Sequence, residues 1–178
     1  MLLVTCNLLL VSCGFHLRGA GKVELSPWLS SLRVNVEGNQ QQNDPLLVAM
    51  KNALRTQTGV QIEDDGDVPL LVLYGERSDS RVLSVSSTGK ADEYLLKYEV
   101  SFRLIDKASR LLSEPQTVRI QRDHAFDRLN VLSKEREERD LRREMQRDAV
   151  QQILRLLSRI TIREVKSMEP QINTDQHR

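Results

Sequence analysis

The two cysteines of this 178-residue chain are the residues whose position points most directly to chemistry. Cys6 and Cys13 both lie near the start, and the body of the sequence contains no thiol. If Cys6 is removed with a signal peptide and Cys13 is modified, the mature domain can form no disulfide, and a metal site built on cysteine pairs is excluded. The apolar run Leu2–Val11 is too short for a membrane-spanning helix, which needs about 20 residues. It is typical of the central part of a secretory signal peptide.

The four residues Leu10-Val11-Ser12-Cys13 resemble a bacterial lipobox. The resemblance implies that the sulfur of Cys13 receives a diacylglycerol, that the chain is cut before it, and that the new amino terminus is acylated. Several acyl chains form a durable membrane anchor, whereas a single chain would be marginal. We therefore expect a signal peptide over residues 1–12 and a lipid-anchored segment over residues 13–30. Gly14 stands where an aspartate would favour the inner membrane in enterobacterial lipoproteins, so the resemblance implies the outer membrane.

A soluble signal peptide in which Cys13 is incidental is the alternative interpretation of this segment. Signal peptides usually begin with Lys or Arg, and here no basic residue precedes His16. We therefore expect either that the coding start lies upstream of Met1 or that the positive segment is missing.

The composition predicts one folded domain that does not bind nucleic acid. Hydrophobic residues make up 39% of the chain and charged residues 29%, and the net charge is +1. A nucleic-acid-binding domain would need a broad basic surface, which this balance does not supply. Any anionic ligand must therefore be bound by a local patch of basic residues.

The three histidines do not form a catalytic pattern. His16 lies beside the predicted anchor and His177 lies at the end of the chain, which leaves His124 between Asp123 and Asp127. Strand alternation places His124 on an apolar face and both aspartates elsewhere, so a half-buried structural histidine is favoured over a general base. The sequence also lacks the GxSxG, HExxH and phosphate-binding glycine motifs. We expect no enzymatic activity, no cofactor and no metal.

The hydrophobic periodicity predicts an α+β fold with two helices packed on one face of a mostly antiparallel four-stranded sheet. Asp44-Pro45 is a favourable helix start, and Gly59 is a favourable helix end. The predicted elements are a strand over 32–36, a helix over 45–59, strands over 68–85, 94–105 and 118–126, and a helix over 133–160. We expect one domain over 31–163 and a mobile tail over 164–178.

Alternation along the strand over 94–105 predicts which residues form the core. We expect one face of this strand to be turned toward both helices. The strand residues are Tyr94, Leu96, Tyr98, Val100, Phe102 and Leu104, and the helix residues are Leu47, Met50, Leu54, Met145, Ile153 and Leu156.

Together with the order of these elements, three short segments of the sequence resemble the LptE family of lipopolysaccharide (LPS) assembly lipoproteins, formerly called rare lipoprotein B. They are "CGFHLRG" after the lipobox, "GKADEY" in the predicted hairpin and "REMQRDAVQQILRLL" in the late helix. The similarity covers nearly the whole mature chain. It implies a non-catalytic, one-to-one partner of the outer-membrane β-barrel LptD that plugs the barrel lumen, helps the barrel to assemble and binds LPS. A general periplasmic scaffold or stress lipoprotein tethering another envelope component is the alternative function.

The family's ligand contacts are basic, which makes Lys90, Arg142 and Arg143 the candidate LPS-binding residues. Arginine can contact a phosphate of lipid A through two hydrogen bonds, and Lys90 follows the turn residue Gly89. The alternative is that the two arginines belong to an ordinary solvated helix face. Arg142 is four residues from Glu138, and such spacing typically forms a surface ion pair.

Overall fold

The computed structural model describes residues 22–38, 43–85, 87, 89, 91–125 and 131–160. The predicted signal peptide over 1–12, the anchor residue Cys13 and the predicted tail over 164–178 lie outside the described residues. The elements in chain order are β1 (Ser31–Val36), α1 (Pro45–Gln57), β2 (Gln61–Ile62), β3 (Leu70–Val85), β4 (Ala91–Ile105), β5 (Gln116–Ala125) and α2 (Val131–Leu157). A short 3-10 helix, Pro27–Leu29, precedes β1.

The strands form one five-stranded mixed sheet in the order β2-β1-β3-β4-β5. The α+β class is confirmed, but the prediction of four strands is wrong because β2 has only two residues, too few to produce an alternating pattern. β1 pairs in parallel with both β2 and β3, while the β3–β4 and β4–β5 pairs are antiparallel. Parallel neighbours need a long crossover connection, and helix α1 supplies that connection between β1 and β3.

Helix α1 begins as its sequence predicts. The Asp44 carboxylate accepts hydrogen bonds from the amides of Leu46 and Leu47 at 2.8 and 3.0 Å, and Pro45 occupies the first turn without needing an amide partner. After the helix, Gly59 adopts a φ of 75°, which a residue without Cβ reaches at little cost.

Both helices pack on one face of the sheet, where the core lies. Helix α1 contacts β1, helix α2 contacts β4 and β5, and the two helices contact each other. The predicted inward face of β4 is buried at Leu96, Tyr98, Val100, Phe102 and Leu104. These residues share the core with Met50, Leu54, Met145 and Ile153, while Leu47 and Leu156 are partly buried against it.

The apolar residues in the first half of β3 are divided between the two faces of the sheet. Leu71 and Leu73 are fully buried in the core cluster. Val72 pairs with Arg103, whose guanidinium lies 4.6 Å from the centre of the Tyr74 ring. The apolar series that includes Val72 therefore lies on the side of the sheet opposite the helices, which we call the open face.

A β-bulge between Tyr74 and Arg77 shifts the register of β3 against β4. Glu76 at this bulge accepts hydrogen bonds from the Tyr98 hydroxyl at 2.7 Å and from the side-chain amide of Gln146 on α2 at 3.0 Å. Burial, and then the hydrogen bond to Glu76, raise the pKa of the Tyr98 hydroxyl. The tyrosine therefore stays neutral, and the bulge is tied to both β4 and α2.

Helix α2 spans 27 residues and runs from the hairpin end of the sheet to the opposite end. Arg122 of β5 fixes it to the sheet through Glu144 at 3.1 Å and Asp148 at 2.5 Å. Within the described part of the chain, neither helix combines the length and apolar character needed to cross a membrane.

Candidate functional site

Two of the predicted site residues, Cys13 and Lys90, lie outside the described residues, as do His16 and His177. Arg142 and Arg143 are described, and both lie on α2. Among the residues described, the predicted basic site is therefore represented by these two arginines.

Arg142 and Arg143 are each paired with an acidic residue of their own helix. The Nη2 atom of Arg142 donates to the Oε1 atom of Glu138 at 2.5 Å, which confirms the predicted spacing of four residues. Arg143 donates to Asp140, one turn earlier. The Arg143 side chain is 69% exposed against 43% for Arg142. Arg143 is therefore the more accessible cation, and an anion must compete with Asp140 for it.

The described chain does not bring the two arginines next to the end of the β3–β4 hairpin. Arg122 pairs with Leu96 of β4 and contacts Glu144, which directly follows Arg143. Ala91, the first described residue after Lys90, lies roughly 15 Å further along β4 at about 3.3 Å per residue. A ligand contacting both regions must therefore be extended.

A second charged arrangement lies on the open face, at the centre of the sheet. The Glu99 carboxylate of β4 accepts a hydrogen bond from Arg77 of β3 and another from Arg119 of β5, each at 2.8 Å. Partial desolvation raises the pKa of the Glu99 carboxyl, but the hydrogen bonds from Arg119 and Arg77 together outweigh it and lower the pKa. The three side chains bind the three strands together and carry a net positive charge.

A shallow groove of about 460 Å³ lies over this trio. Its polar lining consists of Arg77, Asp79, Lys97, Glu99, Arg119 and Gln121. Tyr98 and Ile120 complete the lining, so the groove combines charges of both signs with some apolar surface. This mixture suits a wet protein interface better than a typical, mostly apolar small-molecule pocket.

The sequence alone does not predict this trio, although alternation along β4 places Glu99 on the side opposite the inward residues. The Tyr74/Arg77 bulge changes which residues of β3 face outward, from Val72 and Tyr74 before it to Arg77 and Asp79 after it. Because the position of a bulge is not visible in a simple period of two, the pairing of Arg77 with Glu99 could not be predicted.

His124 is half-buried on β5, as predicted, and faces α2. Its Nε2 atom lies 3.6 Å from the Oε2 atom of Glu137 on that helix. Asp123 is exposed, and strand alternation directs it to the open face, while Asp127 lies outside the described residues. His124 therefore sits at a contact between sheet and helix. The described residues also contain no cluster of three or more metal-ligating side chains.

The sequence matches a known family over most of its length. A family model described as "LptE: Lipopolysaccharide-assembly" matches residues 31–157, from β1 to the end of α2. The LPS-assembly lipoprotein LptE of Yersinia enterocolitica is 30% identical over 172 residues, which cover 95% of this chain and 79% of the relative. The LptE of Yersinia pestis strain Pestoides F is 28% identical over the same shares of the two chains.

Solved structures of similar lipoproteins have the same fold. Rare lipoprotein B from Shewanella oneidensis is 28% identical with a TM-score of 0.62, and the match covers 78% of this chain and 99% of that one. Lipoprotein B from Nitrosomonas europaea is 27% identical with a TM-score of 0.67, and the match covers 88% of this chain and 97% of that one.

Proposed function

This chain belongs to the LptE family of lipopolysaccharide-assembly lipoproteins, and we propose that it acts as the outer-membrane partner of the β-barrel LptD. In this proposal one copy plugs the lumen of one barrel, helps the barrel to assemble and binds LPS on its way to the cell surface. The observation that carries the proposal is the family match over residues 31–157, which spans the sheet and both helices. The family is not enzymatic, in agreement with the absence of catalytic motifs from the sequence.

The position of the described amino-terminal segment supports an anchor at the end of the domain that is remote from the hairpin. The Val23 amide donates to the Gln57 carbonyl at the end of α1 at 2.8 Å. The Ser26 hydroxyl donates to the Ile160 carbonyl just beyond α2 at 3.0 Å. A fully extended segment from Cys13 to Lys22 reaches about 30 Å at most. Acylation of Cys13 would therefore hold this end of the domain close to the membrane surface.

The length of the sheet supports a plug that reaches far from its anchor. The 15 residues of β4 run from the hairpin end toward the anchored end, a distance of roughly 50 Å at about 3.3 Å per residue. Mixed charges cover the open face along this length, including the trio of Arg77, Glu99 and Arg119. The interior of a large outer-membrane barrel is polar, so this surface is compatible with a position in the lumen on the periplasmic side.

LPS binding at Lys90, Arg142 and Arg143 is the part of the proposal that a binding assay tests. We expect the double variant Lys90→Asp plus Arg143→Asp to bind LPS about ten-fold more weakly at low salt, because charge-assisted hydrogen bonds to phosphate are lost and repulsion replaces them. The difference should shrink at moderate salt, since exposed charges are screened. The measurement is the Kd of the full chain for LPS.

The matched control carries two charge reversals near the carboxyl end of α2, Arg155→Asp plus Arg159→Asp. Both residues are exposed and lie near the anchored end. We expect the control to bind as the unaltered chain does. Equal binding by both folded double variants would assign Lys90 and Arg143 to the ordinary surface, and the LPS contact would have to lie elsewhere.

A further inference from the structure

The outer half of β3 has a strand on only one side. β1 pairs with β3 from Leu70 to Leu73 and no further, whereas β4 pairs with β3 as far as Val85. In the described part of the chain, the segment Arg77–Val85 therefore has an open edge opposite β4. We call this segment the β3 edge.

The register shows which backbone groups of the β3 edge are unpaired. The Leu112 amide donates to the Leu104 carbonyl, so the N–H and C=O groups of Leu104 point away from β3. The N–H and C=O groups of successive residues point to opposite sides of a strand. Those of the even-numbered residues of β4 therefore point toward β5, and those of the odd-numbered residues point toward β3. Arg77, Asp79 and Arg81 pair with the odd-numbered residues of β4, and the intervening Ser78, Ser80 and Val82 pair with even-numbered ones. The amides and carbonyls of these last three residues therefore point outward.

The outer end of the β3 edge carries exposed apolar side chains. Val82, Leu83 and Val85 are 48%, 43% and 63% exposed, and they account for most of the exposed large hydrophobic residues in the described part of the chain. The β3 edge contains no proline or lysine, and the charges that could hinder pairing there lie at Arg77, Asp79 and Arg81, before this apolar end. Exposed apolar side chains next to unpaired backbone groups are the features of a strand that receives another strand.

Two charges on the β3 edge form no ion pair within the described chain, although Asp79 lies opposite Lys97 of β4. Arg77 is paired with Glu99, but the structure records no ion pair for Asp79 or Arg81. Both lie on the open face, two residues apart along the strand. An added strand would complement them with an acidic side chain opposite Arg81 and a basic one opposite Asp79.

We propose that the β3 edge binds an extended segment of the barrel partner, which adds to the sheet as a sixth strand. This inference rests on the proposed function, since it assigns the partner to a surface of the chain. The backbone of the segment bonds to Ser78, Ser80 and Val82, its charged face meets Asp79 and Arg81, and its apolar residues cover Val82. A second copy is a poorer fit, because antiparallel self-pairing over the whole edge would put two copies of Arg81 opposite each other.

Amide hydrogen exchange tests this inference on the full acylated chain in detergent, alone and after co-purification with LptD. We expect the amides of Ser78, Ser80 and Val82 to exchange at least about ten-fold more slowly in the complex, because their outward N–H groups become hydrogen-bonded. Unchanged exchange in a complex that does form would overturn the inference and leave the partnership intact. If no barrel co-purifies, both the proposed function and this inference fail. Slow exchange that appears with rising concentration of the chain alone would assign the edge to self-association and also overturn the inference.

A pair of variants at Ser80 supplies the matched mutational test. Ser80→Pro removes the outward amide while sparing the bonds to β4, a position at which edge strands tolerate proline. Ser80→Ala removes only the hydroxyl. We expect several-fold less LptD to be retained by Ser80→Pro at unchanged secondary structure, and normal retention by Ser80→Ala. Equal retention by both folded variants would contradict a backbone contact at this edge.

Discussion

Replacing Val100 with aspartate is expected to unfold the domain. Val100 is fully buried, pairs with the equally buried Val118, and lies in the core that both helices cover. An unpaired charge at such a position costs several kcal/mol, which is comparable to the total stability of an ordinary domain. We expect the thermal unfolding midpoint to fall by roughly 10 °C or more, or the cooperative transition to disappear.

The matched control is Gln121→Asp, which introduces the same charge on the open face. Gln121 is exposed and lies opposite Lys97 of β4, so we expect a change within about 0.5 kcal/mol. Circular dichroism during heating measures both variants. A normal melting temperature for Val100→Asp would mean that the assignment of the buried face is wrong.

Replacing Cys13 with alanine is expected to abolish lipid attachment and to release the chain from the membrane or leave it unprocessed. Cys13 is the last of the four lipobox-like residues, and after loss of the signal peptide it would be the sole thiol of the chain. Without acyl chains the hydrophobic contribution of about 0.8 kcal/mol per buried methylene is lost, and no described helix replaces it as a membrane span.

Incorporation of radiolabelled palmitate measures this effect, with Cys6→Ala as the matched control. Cys6 lies within the predicted signal peptide, so its replacement should leave labelling unchanged. Equal labelling of the Cys13→Ala protein would contradict the assignment of the lipid to Cys13.

The sequence predicted those parts of the fold that depend on near neighbours in the chain. Asp44 caps α1 through amides two and three residues away, and the alternation of β4 identifies its buried side chains directly. β1 and β3 pair in parallel although helix α1 separates them along the chain. Pairing between strands so far apart in the sequence leaves no local periodic signal.

The charged surface was predictable only within one helix. The pair of Arg142 with Glu138 follows from helical spacing, whereas the partner of Arg143 three residues earlier was not anticipated. The bridging of Arg77 and Arg119 by Glu99 requires the register of three strands and the position of a bulge, so it could be found only in the structure.

Stoichiometric co-purification is the most direct test of the central claim, which is that this lipoprotein is the partner of LptD. The full acylated chain is extracted from its native membrane in mild detergent, isolated through an affinity tag, and quantified against every co-purifying protein. The proposed function predicts one copy of LptD for each copy of this chain. Absence of the barrel, together with crosslinking of the chain to cell-wall material, would contradict it and would favour a periplasmic scaffold.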